Sequence, residues 1–295
     1  MFLRKGNILR FSLTILSFLI LEGIFAQKIK VNTVTLLPEK VGETSGIISG
    51  INSTIWTHND SGGKPILYQI DTNGVILKKI IVSGIKNTDW EDLANDYQGN
   101  IYIADIGNNL NKRKDLKILK IPHPDSVKTD RIKPEIIRFS YENQRTFPPK
   151  DSKLNFDAEA LIAYKDSIFI FTKNRTKPYS RYTYIYAIPN KAGKHIAVLK
   201  DSIYLAHTHK FHSWITSATR NPKKDLVILL SHKKAWLIKS FRNKNNRVLI
   251  KSRISGIYSQ KEAIAFDLEE NIWISNEKYK FLRSKLKKCS SFELK

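Results

Sequence analysis

The chain has a single cysteine, Cys289, and a single methionine in 295 residues. A lone cysteine excludes an internal disulfide, so a packed core must hold the fold instead of covalent staples. Cys289 is far from the amino terminus, which excludes it as a lipid-attachment cysteine, and it reads as a part-buried small apolar residue. Acid is scarce: 27 Asp and Glu face 50 Lys and Arg, a formal net charge of +23. The densest basic runs, Lys112-Arg113-Lys114, Arg242 to Arg247 and Lys285-Lys287-Lys288, carry no nucleic-acid motif. Nucleic acid is therefore not an expected partner, and the charge reads as a solvated surface suited to anionic ligands. Long amphipathic helices are missing. So are a Gly-x-Ser-x-Gly elbow, a P-loop and a His-Glu-x-x-His helix, which removes support from three enzyme classes. His207, His209 and His212 lie close together, but no cysteine or acid at matching spacing completes a zinc set.

Hydrophobic residues make up 41% of the chain, enough for a sizeable core. Arg4, Lys5 and Arg10 precede the apolar run Phe11 to Leu21, and Gly23-Ile24-Phe25-Ala26 offers a small residue before Gln27. This pattern predicts a cleaved secretory signal over residues 1–26 and an exported domain over 27–295, periplasmic or extracellular. The apolar run is shorter than the roughly 20 residues of a spanning helix, and no later stretch is long enough to cross a membrane.

From Lys28 onward, short alternating runs are bounded by Gly, Asn, Asp and Pro, the pattern of strands and tight turns. Asp71-Thr-Asn-Gly74 between two apolar runs is a hairpin signal. The stretch Glu91-Asp-Leu-Ala, Gln98-Gly-Asn100, Ile101-Tyr-Ile-Ala104, Asp105 then recurs in weaker copies. Fourteen residues beyond Glu91, Glu159 and Glu262 stand Asp105, Lys173 and Asn276, each just after an apolar strand. Ser217 to Ser231 keeps the same step, with serine in place of the acid. With Glu43 as the first member, the units Glu43, Glu91, Glu159, Ser217 and Glu262 are 48, 68, 58 and 45 residues apart. Units of roughly 40 to 50 residues with four strands each predict an all-β fold, a single β-propeller. Five blades are expected, with six as the alternative if one hides in Pro122 to Leu154 or Ala206 to His212. The last unit lacks a fourth strand beyond a weak one near Ser290 to Leu294, and Lys28 to Leu37 is spare. Pairing the two termini would close the ring.

In such a ring Glu43, Glu91, Glu159 and Glu262 converge on one channel mouth. The loops after the second strands, among them His58 to Gly63, Lys173-Asn174-Arg175 and Ser275-Asn276-Glu277, emerge at the same end. Four converging carboxylates require neutralisation, by a hard divalent cation or by pairing with Lys and Arg. The alternative reading is structural: acids and Asn-Gly between strands also serve as turn formers.

Glu43-Thr-Ser-Gly-Ile with Trp56-Thr-His-Asn-Asp-Ser-Gly-Gly63, Asp89-Trp-Glu-Asp-Leu-Ala94 with Asp105-Ile-Gly-Asn-Asn109, and Asp157-Ala-Glu-Ala-Leu161 resemble exported bacterial β-propeller proteins. These are distantly similar to the esterase-like and phytase-like propellers and to the gluconolactonase/regucalcin superfamily. The resemblance covers most of the mature chain. It implies a divalent cation, usually calcium, at the channel mouth, with Glu43, Asn59, Glu91, Asp105, Glu159, Glu262 and Asn276 as candidate ligands and no organic cofactor. Ser217 departs from the pattern, and a full phytase set of paired calcium and phosphate ligands is absent. Two functions follow. The first, preferred because no complete catalytic set is visible, is a monomeric envelope protein that binds an anionic small molecule, a glycan or another envelope component. The alternative is a cation-dependent hydrolase of phosphate esters, carboxylic esters or lactones. Its catalytic candidates are Glu91 and Glu159 for proton transfer, and Lys173 and Arg175 for anion stabilisation.

Overall fold

Val, Ile, Tyr, Phe and Trp dominate the short runs between turn residues, and such runs form strands because their side chains pack well on a pleated surface. A computed structural model of the protein describes residues 28–205, 209–254, 260–279 and 281–289. Among these there are strands and short 3-10 turns and no α-helix. The secretory-signal expectation, His207 and the weak strand expected near Ser290 lie outside the described residues. No helix among the described residues is long and apolar enough to cross a membrane.

The chain opens with β1 (Lys28–Ile29), β2 (Asn32–Leu36), β3 (Thr44–Ser49), β4 (Ile55–Asn59), β5 (Ile66–Ile70) and β6 (Ile76–Val82). Next come β7 (Trp90–Asn95), β8 (Asn100–Asp105), β9 (Lys117–Pro122), β10 (Arg131–Ile132) and β11 (Glu135–Tyr141). A third run holds β12 (Ala158–Tyr164), β13 (Ser167–Thr172), β14 (Tyr182–Pro189) and β15 (Gly193–Tyr204). A fourth holds β16 (Ile215–Arg220), β17 (Leu226–Ser231), β18 (Lys234–Lys239) and β19 (Val248–Ile254). The last strands are β20 (Lys261–Phe266), β21 (Ile272–Asn276) and β22 (Lys285–Cys289).

Hydrogen bonding sorts them into sheets of five, five, eight and four strands, not into five equal units. The inequality arises at the outer edges. Short β1 adds parallel to β19, short β10 adds parallel to β6, and β11 pairs parallel with β15, fusing two antiparallel meanders into one sheet. At the inner edge the strands are regular: β3 packs on β7, β7 on β12, β12 on β16, β16 on β20, and β20 back on β3. Five apolar clusters fill the spaces between successive meanders, including one between the last and the first, where Ala263 and Trp273 meet Ile47 and Tyr68. The architecture is all-β and propeller-like. Its ring closes through β2, which pairs antiparallel with β22, so the Asn32–Leu36 part of the spare stretch joins the last sheet as expected, while β1 pairs with β19 instead. The strand beside β2 is Lys285–Cys289, however, a segment the sequence presents as a basic run. Residues 122–154 supply only β10, β11 and short turns, so they hold no further four-stranded unit.

The turns repeat one device. In Asp71-Thr-Asn-Gly74 the Asp71 carboxylate accepts the backbone N–H groups of Asn73 and Val75 at 2.9 and 2.8 Å. Gly74 has φ +84°, and a Cβ there would lie 2.5 Å from the Leu36 carbonyl, so only glycine fits. Asp96 and Asp267 cap the turns between the first and second strands of two other meanders. Each also accepts a hydrogen bond from an aromatic side chain, from Tyr102 Oη and Trp273 Nε1, both at 2.9 Å. The corresponding turn after β3 has no acid. Asp125, from the insertion after β9, supplies it: it accepts Trp56 Nε1 at 2.7 Å, Gln69 Nε2 at 3.0 Å and the Ile51 N–H at 2.8 Å. Replacing Asp125 with alanine orphans these donors and is expected to cost about 2 kcal/mol, read as a lower denaturant midpoint with unchanged slope.

Candidate functional site

Three rings of side chains stack at one end of the central channel, and backbone hydrogen bonds define their equivalence. The N–H groups of Asp60, Gly107, Lys173 and Glu277 donate to the carbonyls of Glu43, Asp89, Asp157 and Gln260 at 2.8 to 3.2 Å. Two residues further along each inner strand come Ser45, Glu91, Glu159 and Glu262, with Thr216 in the fourth meander. The repeat is thus real, but its register differs from the spacing argument at two places. Glu43 is the counterpart of Asp89, not of Glu91. Thr216, not Ser217, stands where the others have glutamate. A one-residue β-bulge opens every inner strand and so offsets none against another; the fourth hairpin is one residue longer, with Ile215 paired to Ser231 where Lys261 pairs to Asn276, and in the first the fourteen-residue step reaches Asn59 from Ser45, not from Glu43.

The rings enclose a cavity of about 320 Å³. Glu43, Asp60, Glu91, Glu159, Glu262 and Glu277 line it, so the four expected glutamates do meet at one mouth. Lys173 and Arg175 also line it, and Phe211, Trp214 and His232 form an aromatic wall. Three expected ligands do not line it. Asp105 is fully buried and turned to Arg113 and Lys117, each 2.8 Å away. Asn59 donates to the Lys40 carbonyl at 2.8 Å, and Asn276 to the Glu277 carbonyl at 3.0 Å. Each holds a loop in place. Asp60 and Glu277 line it instead, with Asp89 beside Asp60 and Glu91; in the sequence they stand out only as loop residues. His58 is core, edge-on to Trp90 with its Nδ1 2.9 Å from the Asn59 carbonyl.

Half of the mouth is ion-paired. Lys173 donates to Glu159 Oε2, and Arg175 bridges Asp157 at 2.5 Å and Glu159 at 3.4 Å. Cations also stack on Trp214, with Arg175 and Lys210 each 4.8 Å from the ring centre. His232 Nδ1 lies 3.3 Å from Glu262 Oε1. The other half is not paired. Asp60, Asp89 and Glu91 each place a carboxylate oxygen within 4.8 Å of the other two. Glu91 is 5% exposed, and no hydrogen bond or ion pair satisfies it among the described residues. Gly107 makes room for this crowding: a Cβ there would lie 2.2 Å from Glu91 Oε1 and 2.4 Å from the Asp89 carboxylate.

Packing carboxylates this way raises their affinity for protons. Burial, then Asp60 and Asp157, pushes Asp89 up to about 6. Burial, with Glu159 and Glu262 beside it, pushes Asp60 up to about 6 against the Ser61 N–H. Burial, then Glu159 and Asp60, holds Glu91 well above the usual carboxylate range. Burial raises Glu159 to about 7 in spite of Lys173. Burial, then Glu262, Asp60 and Glu43, raises Glu277 to about 8. An all-oxygen donor set with one buried, unpartnered carboxylate suits a hard divalent cation.

Fold and cavity together define a propeller-like all-β protein with an acidic mouth. No family model and no curated protein matches the chain. Among solved structures, the PQQ-bound aldose sugar dehydrogenase of Streptomyces coelicolor aligns at 10% identity and TM-score 0.49, covering 88% of this chain and 97% of that one. A gluconolactonase of Xanthomonas campestris aligns at 12% and 0.45, covering 83% and 72%. An inactive virginiamycin B lyase of Staphylococcus aureus, solved with quinupristin, aligns at 14% and 0.41, covering 86% and 69%. Likenesses this distant carry no argument about chemistry, which must come from the cavity itself.

Proposed function

We propose that the chain is a five-bladed propeller whose mouth cavity is a divalent-cation-dependent hydrolase site for a small ester, lactone or phosphate ester. The observation that carries this is Glu91: a buried carboxylate without a partner, crowded against Asp60 and Asp89. A binding role alone gives no reason to bury it beside a paired, proton-exchanging glutamate. Five blades fit the closed cycle of β3, β7, β12, β16 and β20, with β2 completing the last sheet.

Asp60, Asp89 and Glu91 would hold the cation. When bound, it supplies polarisation of a substrate oxygen. The remaining work falls to residues across the cavity. Glu159 exchanges protons near neutrality, the property of a general acid–base group. Lys173 orients it. Arg175, fixed by Asp157 and by the Trp214 ring, offers its guanidinium to negative charge that develops on the substrate. Phe211 and Trp214 form an apolar wall for the substrate body. A cavity of this size takes a small molecule and excludes a folded partner.

Thermal unfolding with calcium, magnesium or manganese against excess chelator tests the cation. A hundredfold excess over the dissociation constant is expected to add about 2.7 kcal/mol. Glu91→Gln should remove that gain together with ester, lactone or phosphoester turnover. Glu159→Gln should remove turnover and keep the gain. No stabilisation by any of the three cations would rule the proposal out.

A further inference from the structure

Lys261 and Glu262 are consecutive on β20 at its β-bulge, and both reach His232 of the preceding meander. Glu262 lines the mouth cavity. Lys261 pairs in register with Asn276, and Ile274, two residues before Asn276, pairs with Lys287 on β22. Side chains two apart on a strand share a face, as do directly opposed residues. Lys261, Asn276, Ile274 and Lys287 therefore lie on one face. That face packs against the preceding meander, since Ile264 and Ile274 belong to one apolar cluster with Leu230 and Ala235 of β17 and β18. The two lysines sit where two meanders meet, next to the mouth.

Both are deeply buried, Lys261 at 3% exposure and Lys287 at 6%. Lys261 Nζ donates to the His232 carbonyl at 3.2 Å, its one hydrogen bond among the described residues. Lys287 has neither a hydrogen bond nor an ion pair among the described residues. The charges that act on Lys261 are Lys287 and Lys233, and the one that acts on Lys287 is Lys285, all cations. This differs from the other buried lysine among the described residues, Lys173, which is paired with Glu159. Two ammonium groups on one face of a packed interface without an acid are costly unless an anion joins them.

We propose that the interface between the β16–β19 and β20–β22 meanders is a binding site for a compact oxyanion of the phosphate or sulfate type, held by Lys261 and Lys287. Depth sets the size limit, because residues this buried admit a small free ion and exclude a polymer. The site is separate from the acidic cavity but mechanically joined to it. Lys261 holds the carbonyl of His232, and His232 faces Glu262 across the wall. Anion occupancy would therefore fix the wall residue from behind.

The test is thermal unfolding of the purified protein in excess chelator, with inorganic phosphate and then sulfate titrated at constant ionic strength. A saturable rise of several degrees is expected for the wild type. Lys287→Met and Lys261→Met should each abolish the saturable part, and Lys287→Met should raise the midpoint in chloride by removing an unpaired charge. Lys287→Arg, which keeps the charge, should retain the rise and provides a folded control. Glu91→Gln should also retain it, which separates this site from the cavity. A wild type without a saturable rise would overturn the proposal. So would a rise of equal size in both methionine variants, the signature of general salt exclusion.

Discussion

Asp92→Ala is expected to cost about 3–5 kcal/mol of folding stability, because it strands several buried donors at about 1–3 kcal/mol each. Asp92 is fully buried in the channel below the mouth. Its Oδ1 accepts Ser217 Oγ at 2.8 Å and the Leu93 N–H at 3.0 Å, and its Oδ2 accepts the N–H groups of Ala218 at 3.0 Å and Leu161 at 3.2 Å. One carboxylate thus ties β7 to β12 and β16. Ser217 Oγ extends the tie to β20 by accepting the Ile264 N–H at 3.1 Å. Alanine leaves these donors buried and unsatisfied. Asn at the same place keeps the shape but turns an NH₂ toward donors, so it should recover only part of the loss. Urea midpoints of the three proteins measure this. A loss below about 1 kcal/mol for alanine would mean that water satisfies the donors and that the tie contributes little.

The second large effect is on pH dependence. In chelator, the contribution of the mouth carboxylates to stability is expected to fall as pH rises from about 4 to about 8, opposed below about pH 6.5 by His58, which burial lowers to about 4. The sign follows from the direction of the shifts. Asp60 and Asp89 (about 6), Glu159 (about 7) and Glu277 (about 8) bind protons more tightly when folded than when unfolded. Their favourable contribution is complete below the unfolded carboxylate range and is lost as pH passes through the folded values. Lys173, Arg175 and His232 face the same space; Lys173 and Arg175 moderate the loss without reversing it. A divalent cation competes with those protons, so the stabilisation it gives should grow from pH 5 to pH 8. Midpoints measured with and without calcium across that range decide it. A cation effect independent of pH would place the ion away from these carboxylates.

The inner part of the fold was legible because its signals are local. Asn-Gly turns, aspartate caps and Ile-x-Ile runs need only neighbouring residues, and they mark the inner hairpins β7–β8, β12–β13, β16–β17 and β20–β21. The convergence of Glu91, Glu159 and Glu262 followed from the same repeat. What stayed hidden depends on partners far away in the chain. Nothing in Lys285-Leu-Lys-Lys-Cys289 marks it as a strand until β2 lies beside it. Ser45, not Glu43, is the counterpart of Glu91, and a serine gives no sign of that place beside an acid two residues away. Asp105 was chosen for its place in the repeat, but its neighbours Arg113 and Lys117 decide its role. Asp60, Asp89 and Glu277 were visible as residues, yet their importance arises from crowding, which sequence does not express.

The pairing of β2 with β22 has a further consequence in time. About 250 residues separate the partners. At a synthesis rate of roughly 5–20 residues per second, β2 waits on the order of 12 to 50 seconds for the strand that covers it. Until then the first and last meanders each present an open edge, and every intermediate is an unclosed arc able to pair with a second copy. β22 is thus the clasp of the ring, and a truncation before Lys285 leaves β2 without the strand that covers it.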